Sequence, residues 1–326
     1  MPLRVHFYRM TFGHYTDEFK SLLDPKIIIT EGQDIPKKPD FDILVYPTPK
    51  QEWVEASPNL KALIIPWTGL PVDTRTLMLN YPNISVHNLH HNNINTAEMG
   101  LTLLLAAAKR LIPMDQALRK NDWRPRYDGP QAILLRGKRA LILGFGEVGQ
   151  ALADLCLGLG MKVMATKKHP EEYQGHLDVD IYPDDLLSEL LSTSDVLLIA
   201  LPLTSETEGL IGAPELNRMP RGSLLVNIGR GPVVDQWALY EALKSGQLRA
   251  AASDVWYNSP ESREARANTP PSDAPLGELE NFVLSPHRGG MVEDVERQRI
   301  IALAKLLNAA NRGQTLPNKV DLELGY

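Results

Sequence analysis

Residues 141–156 read "LILGFGEVGQALADLC": an apolar run, three glycines spaced G-x-G-x-x-G at Gly144, Gly146 and Gly149, and then helical periodicity. A strand before and a helix after is the context in which this spacing carries physical meaning. Gly144 permits a tight turn, Gly146 lets a pyrophosphate approach the backbone, and Gly149 lets the helix pack closely on the strand. The first amides of the helix then face the phosphates. The stretch predicts the opening βα unit of a dinucleotide-binding sheet.

Working outward, the same alternation recurs. Downstream, "MKVMAT" (161–166), "DVLLIALP" (195–202), "SLLVNIGRG" (223–231), "LRAAASDVW" (248–256) and "NFVLSP" (281–286) read as strands, with helical stretches at 149–159, 184–192, 213–218 and 235–245. Upstream, "LRVHF" (3–7), "KIIIT" (26–30), "DILVY" (42–46), "KALIIP" (61–66) and "ISVHN" (84–88) form a second series. Strands alternating with helices imply parallel sheets covered on both faces. "NTAEMGLTLLLAAAKRLIPM" reads as one long helix, capped by Asn95 or Thr96, with Glu98 in its first turn and a break or kink at Pro113. The fold class is α/β, with two parallel-sheet domains. Residues 1–100 and 291–326 form a flavodoxin-like substrate domain, and 101–290 a Rossmann NAD(P)-binding domain. The amphipathic helix after residue 290 returns to the first of these.

Composition narrows the function. The 326 residues carry 34 Lys+Arg against 40 Asp+Glu, a net charge of −6, which argues against a nucleic-acid surface. A single cysteine, Cys156, excludes an intrachain disulfide and suits a reducing compartment; its apolar neighbours make it a buried helix residue. The start shows no secretory pattern, and the longest apolar run, "MGLTLLLAAA", is too short for a bilayer. A cytoplasmic location is expected.

The end of the strand after the glycine loop selects the nucleotide. A site for NAD usually places an acid about 20 residues on, to accept the ribose hydroxyl. Here "VMATKKHPEE" (163–172) offers Thr166, Lys167 and Lys168, which would attract a 2′-phosphate. NADP is therefore expected, with NAD possible if Glu171 or Glu172 holds the ribose instead.

Two residues in the loops after later strands carry chemistry suited to a ligand site. Arg230, in the loop after "SLLVNI", offers a planar fork for a carboxylate. His287, in "SPHRGG" (285–290), is the side chain in these loops suited to proton transfer near neutrality. Both follow strands at the C-terminal edge of a parallel sheet, where such sheets bind ligands.

Taken together, "GKRALILGFGEVGQALADLCLGLGMKV", "VNIGRGPVVD", "RAAASDVW" and "LSPHRGG" resemble the D-isomer-specific 2-hydroxyacid dehydrogenases, relatives of glyoxylate/hydroxypyruvate reductase. The likeness covers 138–290 and is weaker over 1–100. It implies the same roles for Arg230 and His287, with Asp254 near the nicotinamide carboxamide. It also implies cofactor contacts at Glu147 and Val148 between the glycines, at Pro202 and Thr207, at Ile228, Gly229 and Arg230, and at His287 and Gly289. The substrate carboxylate is expected on the amides of Trp67, Thr68 and Gly69, with Arg230 and His287 also touching the substrate. Trp67 either narrows that pocket or plugs a hydrophobic gap. Trp256 and Tyr257 either wall the site or pack as core. A homodimer is implied, with "MDQALRKNDW" (114–123) as its arm. The predicted partner is a small 2-oxo or 2-hydroxy acid, with no nucleic acid or membrane.

One position departs from the family. Five residues after the aspartate these enzymes usually carry a glutamate that hydrogen-bonds the histidine; here it is Ser259, before Pro260. Three arrangements are open. Glu261, Glu264, Glu278 or Glu280 replaces it; or Ser259 and a water hold the ring, with Asp254 and the substrate assisting; or the chain is a catalytically weak, dinucleotide-sensing binding or regulatory protein. Arg288 either meets a second anionic group of the substrate or faces solvent. His87, His90 and His91 precede the long helix without the spacing of a further ligand, so no metal is predicted.

Overall fold

A computed structural model describes residues 2–325. The chain divides into two compact units, one running to Asn92 and resuming at Met291, the other Asn93–Gly290.

The first unit opens with β1 (Arg4–Phe7), α1 (Thr16–Leu22), β2 (Ile28–Glu31), β3 (Ile43–Val45), α2 (Gln51–Ala56), β4 (Ala62–Ile64), α3 (Val72–Met78) and β5 (Ser85–His87). All strands are parallel, in the order β2-β1-β3-β4-β5, which is the flavodoxin-like arrangement. β3 and β4 are buried along their whole length, as a sheet covered on both faces demands.

The second unit begins with α4 (Asn93–Lys109), α5 (Leu111–Leu118) and α6 (Arg124–Tyr127). Then come β6 (Arg139–Leu143), α7 (Glu147–Gly158), β7 (Lys162–Thr166), β8 (Asp180–Tyr182), α8 (Leu187–Ser192) and β9 (Val196–Ile199). α9 (Ala213–Arg218), β10 (Ser223–Asn227), α10 (Gln236–Lys244), β11 (Leu248–Ser253) and β12 (Phe282–Leu284) complete it. The sheet order is β12-β11-β10-β9-β6-β7-β8, again all parallel. It reverses between β6 and β9, and that switch point opens a crevice at the C-terminal ends of both strands. α4 and α7 cover one face through Leu103, Leu104, Leu152 and Cys156; α8, α9 and α10 cover the other through Leu190, Leu216, Leu239 and Leu243. Each such leucine, taken out of water, contributes about 1.5–3 kcal/mol. Burial pushes the Cys156 thiol up to about 12, so it is inert packing.

The chain ends with α11 (Val295–Asn311), which packs in the first unit. Ile300, Leu303 and Leu307 join Phe7, Phe12 and Phe19 in one core, and Arg297 pairs with Glu18 at 2.9 Å.

Three local features differ from the sequence reading. The long helix starts at Asn93, so Asn95 and Thr96 lie inside it rather than capping it, and Glu98 lies beyond its first turn. It breaks at Arg110, whose φ is 53°, and not at Pro113. Pro113 sits in the first turn of α5, where its missing N–H removes no hydrogen bond. β8 is a strand of three residues, too short and too polar to stand out by periodicity.

Candidate active site

The glycine loop joins β6 to α7. Gly144 has φ 92°, a conformation that favours glycine, and Phe145 N–H donates to the Thr166 carbonyl at 3.0 Å. A Cβ at Gly149 would collide with the Gly144 carbonyl, so only glycine lets α7 start this close to β6. A Cβ at Gly146 would meet nothing within 4 Å, which leaves the N-terminus of α7 open to an approaching anion. Glu147 and Val148 are the first two residues of α7, and Glu147 accepts from Asn93 Nδ2 at 3.3 Å. This cradle fits a dinucleotide pyrophosphate.

Beside it, β7 ends on the buried Thr166. Lys167 is half-buried and has no ion pair among the described residues; its N–H donates to Tyr182 O at 3.0 Å. Lys168 pairs with Glu206 at 3.1 Å. Glu171 pairs with His169, and the Glu172 side chain lies outside the described residues.

The loops after β9, β10, β11 and β12 are bound to one another. After β9, the Thr207 hydroxyl donates to Pro202 O at 2.7 Å and closes the turn. After β10, the buried Asn227 side chain accepts from Gly229 N–H at 3.0 Å and donates to Arg230 O at 2.9 Å, an Asx-type clamp that sets the Arg230 backbone. Ile228 is buried, and the Arg230 guanidinium donates to Gly229 O at 2.7 Å. The Arg230 side chain is open to solvent, yet neighbouring atoms desolvate it enough to pull its pKa below the usual arginine value. It stays charged at neutral pH.

After β11, Trp256 packs its backbone against Gly231 and donates its indole N–H to Ser285 O at 2.8 Å. Tyr257 donates to Val234 O at 2.7 Å. Trp256 is thus a strut that ties the Arg230 loop to the His287 loop, and Tyr257 anchors the loop after β11 to the segment that follows Arg230. Asn227, Trp256 and Tyr257 are functional supports that pattern reading did not assign.

Asp254 is 3 % exposed, and its carboxylate holds the loop after β12. One oxygen accepts from Ser285 Oγ at 2.6 Å and Arg288 N–H at 2.8 Å; the other accepts from Gly289 N–H at 2.7 Å. Between those donors His287 takes φ 56°, an uncommon value for a non-glycine residue, and its side chain is exposed. Arg288 is exposed as well and makes no ion pair among the described residues.

No carboxylate lies within ion-pair reach of the His287 ring among the described residues. Glu278 and Glu280 precede β12, whereas His287 follows it, and Glu280 lies 3.6 Å from Arg110 at the opposite edge of the sheet. Glu261, Glu264 and Ser259 are exposed. Asp254 therefore supports His287 through the backbone.

In the first unit, Trp67 is 40 % exposed. The Thr68 hydroxyl reaches Leu89 O at 2.9 Å and Asn92 Oδ1 at 2.7 Å, and Asn88 donates to Thr68 O at 2.7 Å, so this threonine fixes the 88–92 loop. Among the described residues the amides of Trp67, Thr68 and Gly69 find no acceptor within the protein. His87 is buried between Pro317 O and Ser85 Oγ. Burial, with Arg299 and His90 nearby, holds His91 down to about 4. Among the described residues no group of three His, Cys, Asp or Glu is placed to hold a metal ion.

The family described as "D-isomer specific 2-hydroxyacid dehydrogenase, NAD binding domain" matches residues 101–289. This chain belongs to that family. The match takes in every loop of the second unit described above, from Gly144 to Gly289. A glyoxylate reductase of Korarchaeum cryptofilum is 36% identical over 233 residues, 70% of this chain and 66% of that protein. A D-3-phosphoglycerate dehydrogenase of Archaeoglobus fulgidus is 34% identical over 278 residues, 83% of this chain and 49% of that protein. The chain thus spans from about half to two thirds of the length of these relatives. A D-isomer specific 2-hydroxyacid dehydrogenase of Xanthobacter autotrophicus, solved with NADPH and MES, superposes with a TM-score of 0.79 at 22% identity, covering 100% of both chains, and shows the same 2-hydroxyacid dehydrogenase fold.

Proposed function

We propose that this protein is an NAD(P)-dependent oxidoreductase that interconverts a small 2-oxo acid and its D-2-hydroxy acid, with NADPH preferred. The observation that carries this reading is the joining of the Arg230 and His287 loops through Trp256 at the C-terminal edge of one sheet. When bound, the reduced nicotinamide supplies a hydride to the carbonyl carbon of the substrate. Gly144, Gly146 and Gly149 cradle its pyrophosphate, and Thr166 and Lys167 hold the 2′-phosphate. Arg230 grips the substrate carboxylate and polarises the carbonyl. His287 gives a ring proton to the oxygen that becomes the hydroxyl. In the first unit, the amides of residues 67–69, which find no acceptor among the described residues, are the candidates for holding a carboxylate.

A second reading is a dinucleotide-sensing binding protein; that no carboxylate among the described residues pairs with His287 favours it. NADPH oxidation with glyoxylate, hydroxypyruvate, pyruvate and phenylpyruvate separates the two. Turnover of at least one acid, faster with NADPH than with NADH, supports the enzyme; tight NADPH binding with no turnover of any supports the sensor. Lys167→Asp should lower the NADPH-over-NADH preference by about tenfold or more, the worth of one charge-assisted hydrogen bond.

The exposed Leu111, Ile112, Leu118, Trp123 and Tyr127 support a homodimer built on this segment. No helix among the described residues is long and apolar enough to cross a membrane, and the buried thiol of Cys156 suits the cytoplasm.

A further inference from the structure

The opposite edge of the second unit's sheet carries a feature that this chemistry does not use. A cavity of about 520 Å³ opens where β10, β11 and β12 begin, lined by Arg110, Arg221, Arg249 and Asn281 among others. Arg221 precedes β10, Arg249 is the second residue of β11, and Asn281 precedes β12. Arg230 and His287 follow these strands, and β10 alone is about 17 Å long. We propose that this cavity binds a small polyanion carrying two or more carboxylate or phosphate groups.

Charge is the first argument. Three guanidiniums meet one carboxylate, Glu280, and that carboxylate is 82% exposed and 3.6 Å from Arg110, beyond good hydrogen-bond length. Arg221 and Arg249 have no ion pair among the described residues. Orientation is the second. Arg221 donates to Ser245 O at 2.7 Å and Arg249 donates to Gln131 O, so each is steered by one carbonyl and keeps further N–H donors for a ligand. Asn281 ties the walls together by donating to Leu243 O and Arg249 O, both at 3.2 Å. Satisfaction is the third. Arg110 Nε is buried in this wall and has no hydrogen-bond partner among the described residues, an uncommon state for a buried donor. An anion bridging the three arginines would correct the charge excess, and the volume suits a small metabolite.

The test uses the full chain with saturating NADPH, so that the cofactor's phosphate contacts are filled. Citrate and inorganic pyrophosphate are titrated by calorimetry, and the one that binds identifies carboxylate or phosphate as the recognised group. Arg221→Gln with Arg249→Gln should weaken that binding at least tenfold while NADPH affinity stays within twofold; Arg230→Gln should leave it unchanged. The proposal is overturned if neither probe binds, if the double variant binds as well as the parent, or if Arg230→Gln abolishes binding. It also falls if sedimentation shows that the double variant changes oligomeric state, since the cavity would then face a second copy of this chain.

Discussion

The loop between β6 and α7 and the loop after β12 both leave the C-terminal edge of one sheet, and different physics holds each. The first is fixed by atoms it lacks: a side chain at Gly149 would strike the Gly144 carbonyl, and Gly144 sits at φ 92°. The second is fixed by one buried carboxylate, Asp254, which binds Ser285, Arg288 and Gly289 around a histidine at φ 56°. Steric necessity makes a rigid cradle for a ligand that many proteins bind. A single buried anion makes a presented side chain, aimed by its backbone.

The largest test of this contrast removes the presented side chain and then its support. His287→Ala should lower kcat by about 10²–10⁴, the usual worth of a general acid, and leave NADPH affinity nearly unchanged. Asp254→Asn keeps the shape but cannot accept all three hydrogen bonds. A buried donor left unpaired costs about 1–3 kcal/mol, which in a chain of this size lowers Tm by roughly 2–4 °C per kcal/mol. Steady-state kinetics should show kcat falling by about tenfold or more with KM for NADPH held. A lower Tm with an unchanged kcat would show that the Asp254 anchor does not place the histidine.

The glycines sharpen the other side. Gly149→Ala forces overpacking and should cost about 1–3 kcal/mol of stability. Gly146→Ala enters open space at φ −83°, which alanine adopts freely, so denaturant midpoints should barely move. Its methyl nevertheless stands where a phosphate would approach, and NADPH should bind about tenfold more weakly if one charge-assisted contact is lost. Equal effects of the two substitutions on both readouts would remove the distinction between packing glycine and ligand glycine.

The same contrast explains what the sequence revealed. The glycine motif and the strand–helix alternation are local patterns whose physics acts within a few residues, and they located the sheet and the loop between β6 and α7. The ties that build the histidine loop are not local: Trp256 reaches 29 positions to Ser285, and Asp254 reaches 35 to Gly289. No spacing rule marks such pairs, so the sequence leaves both Trp256 and Tyr257 between wall and core, and only their hydrogen bonds assign them. Asn227 is more accessible, because an asparagine at a strand end, two residues before a glycine, is a recognised turn former. The helix break was misplaced for a related reason: proline announces itself in sequence, whereas the left-handed turn at Arg110 does not.

The smallest expected effect should spare both loops. The first unit buries His6 and His87 and half-buries His91, and each ring has its pKa lowered chiefly by desolvation, that of His91 to about 4. An unfolded chain protonates such a ring near 6.5. As pH falls below that value the unfolded state binds the proton first, so stability is complete above about 6.5 and is lost toward 4. For His91 the loss should be on the order of 1–2 kcal/mol between pH 7 and 5. Urea midpoints at the two pH values should show it, and His91→Gln should flatten the difference. If that substitution leaves the fall in stability unchanged, the acid sensitivity belongs to other groups, and His91, with its unpartnered Nδ1, is not what acid first disturbs.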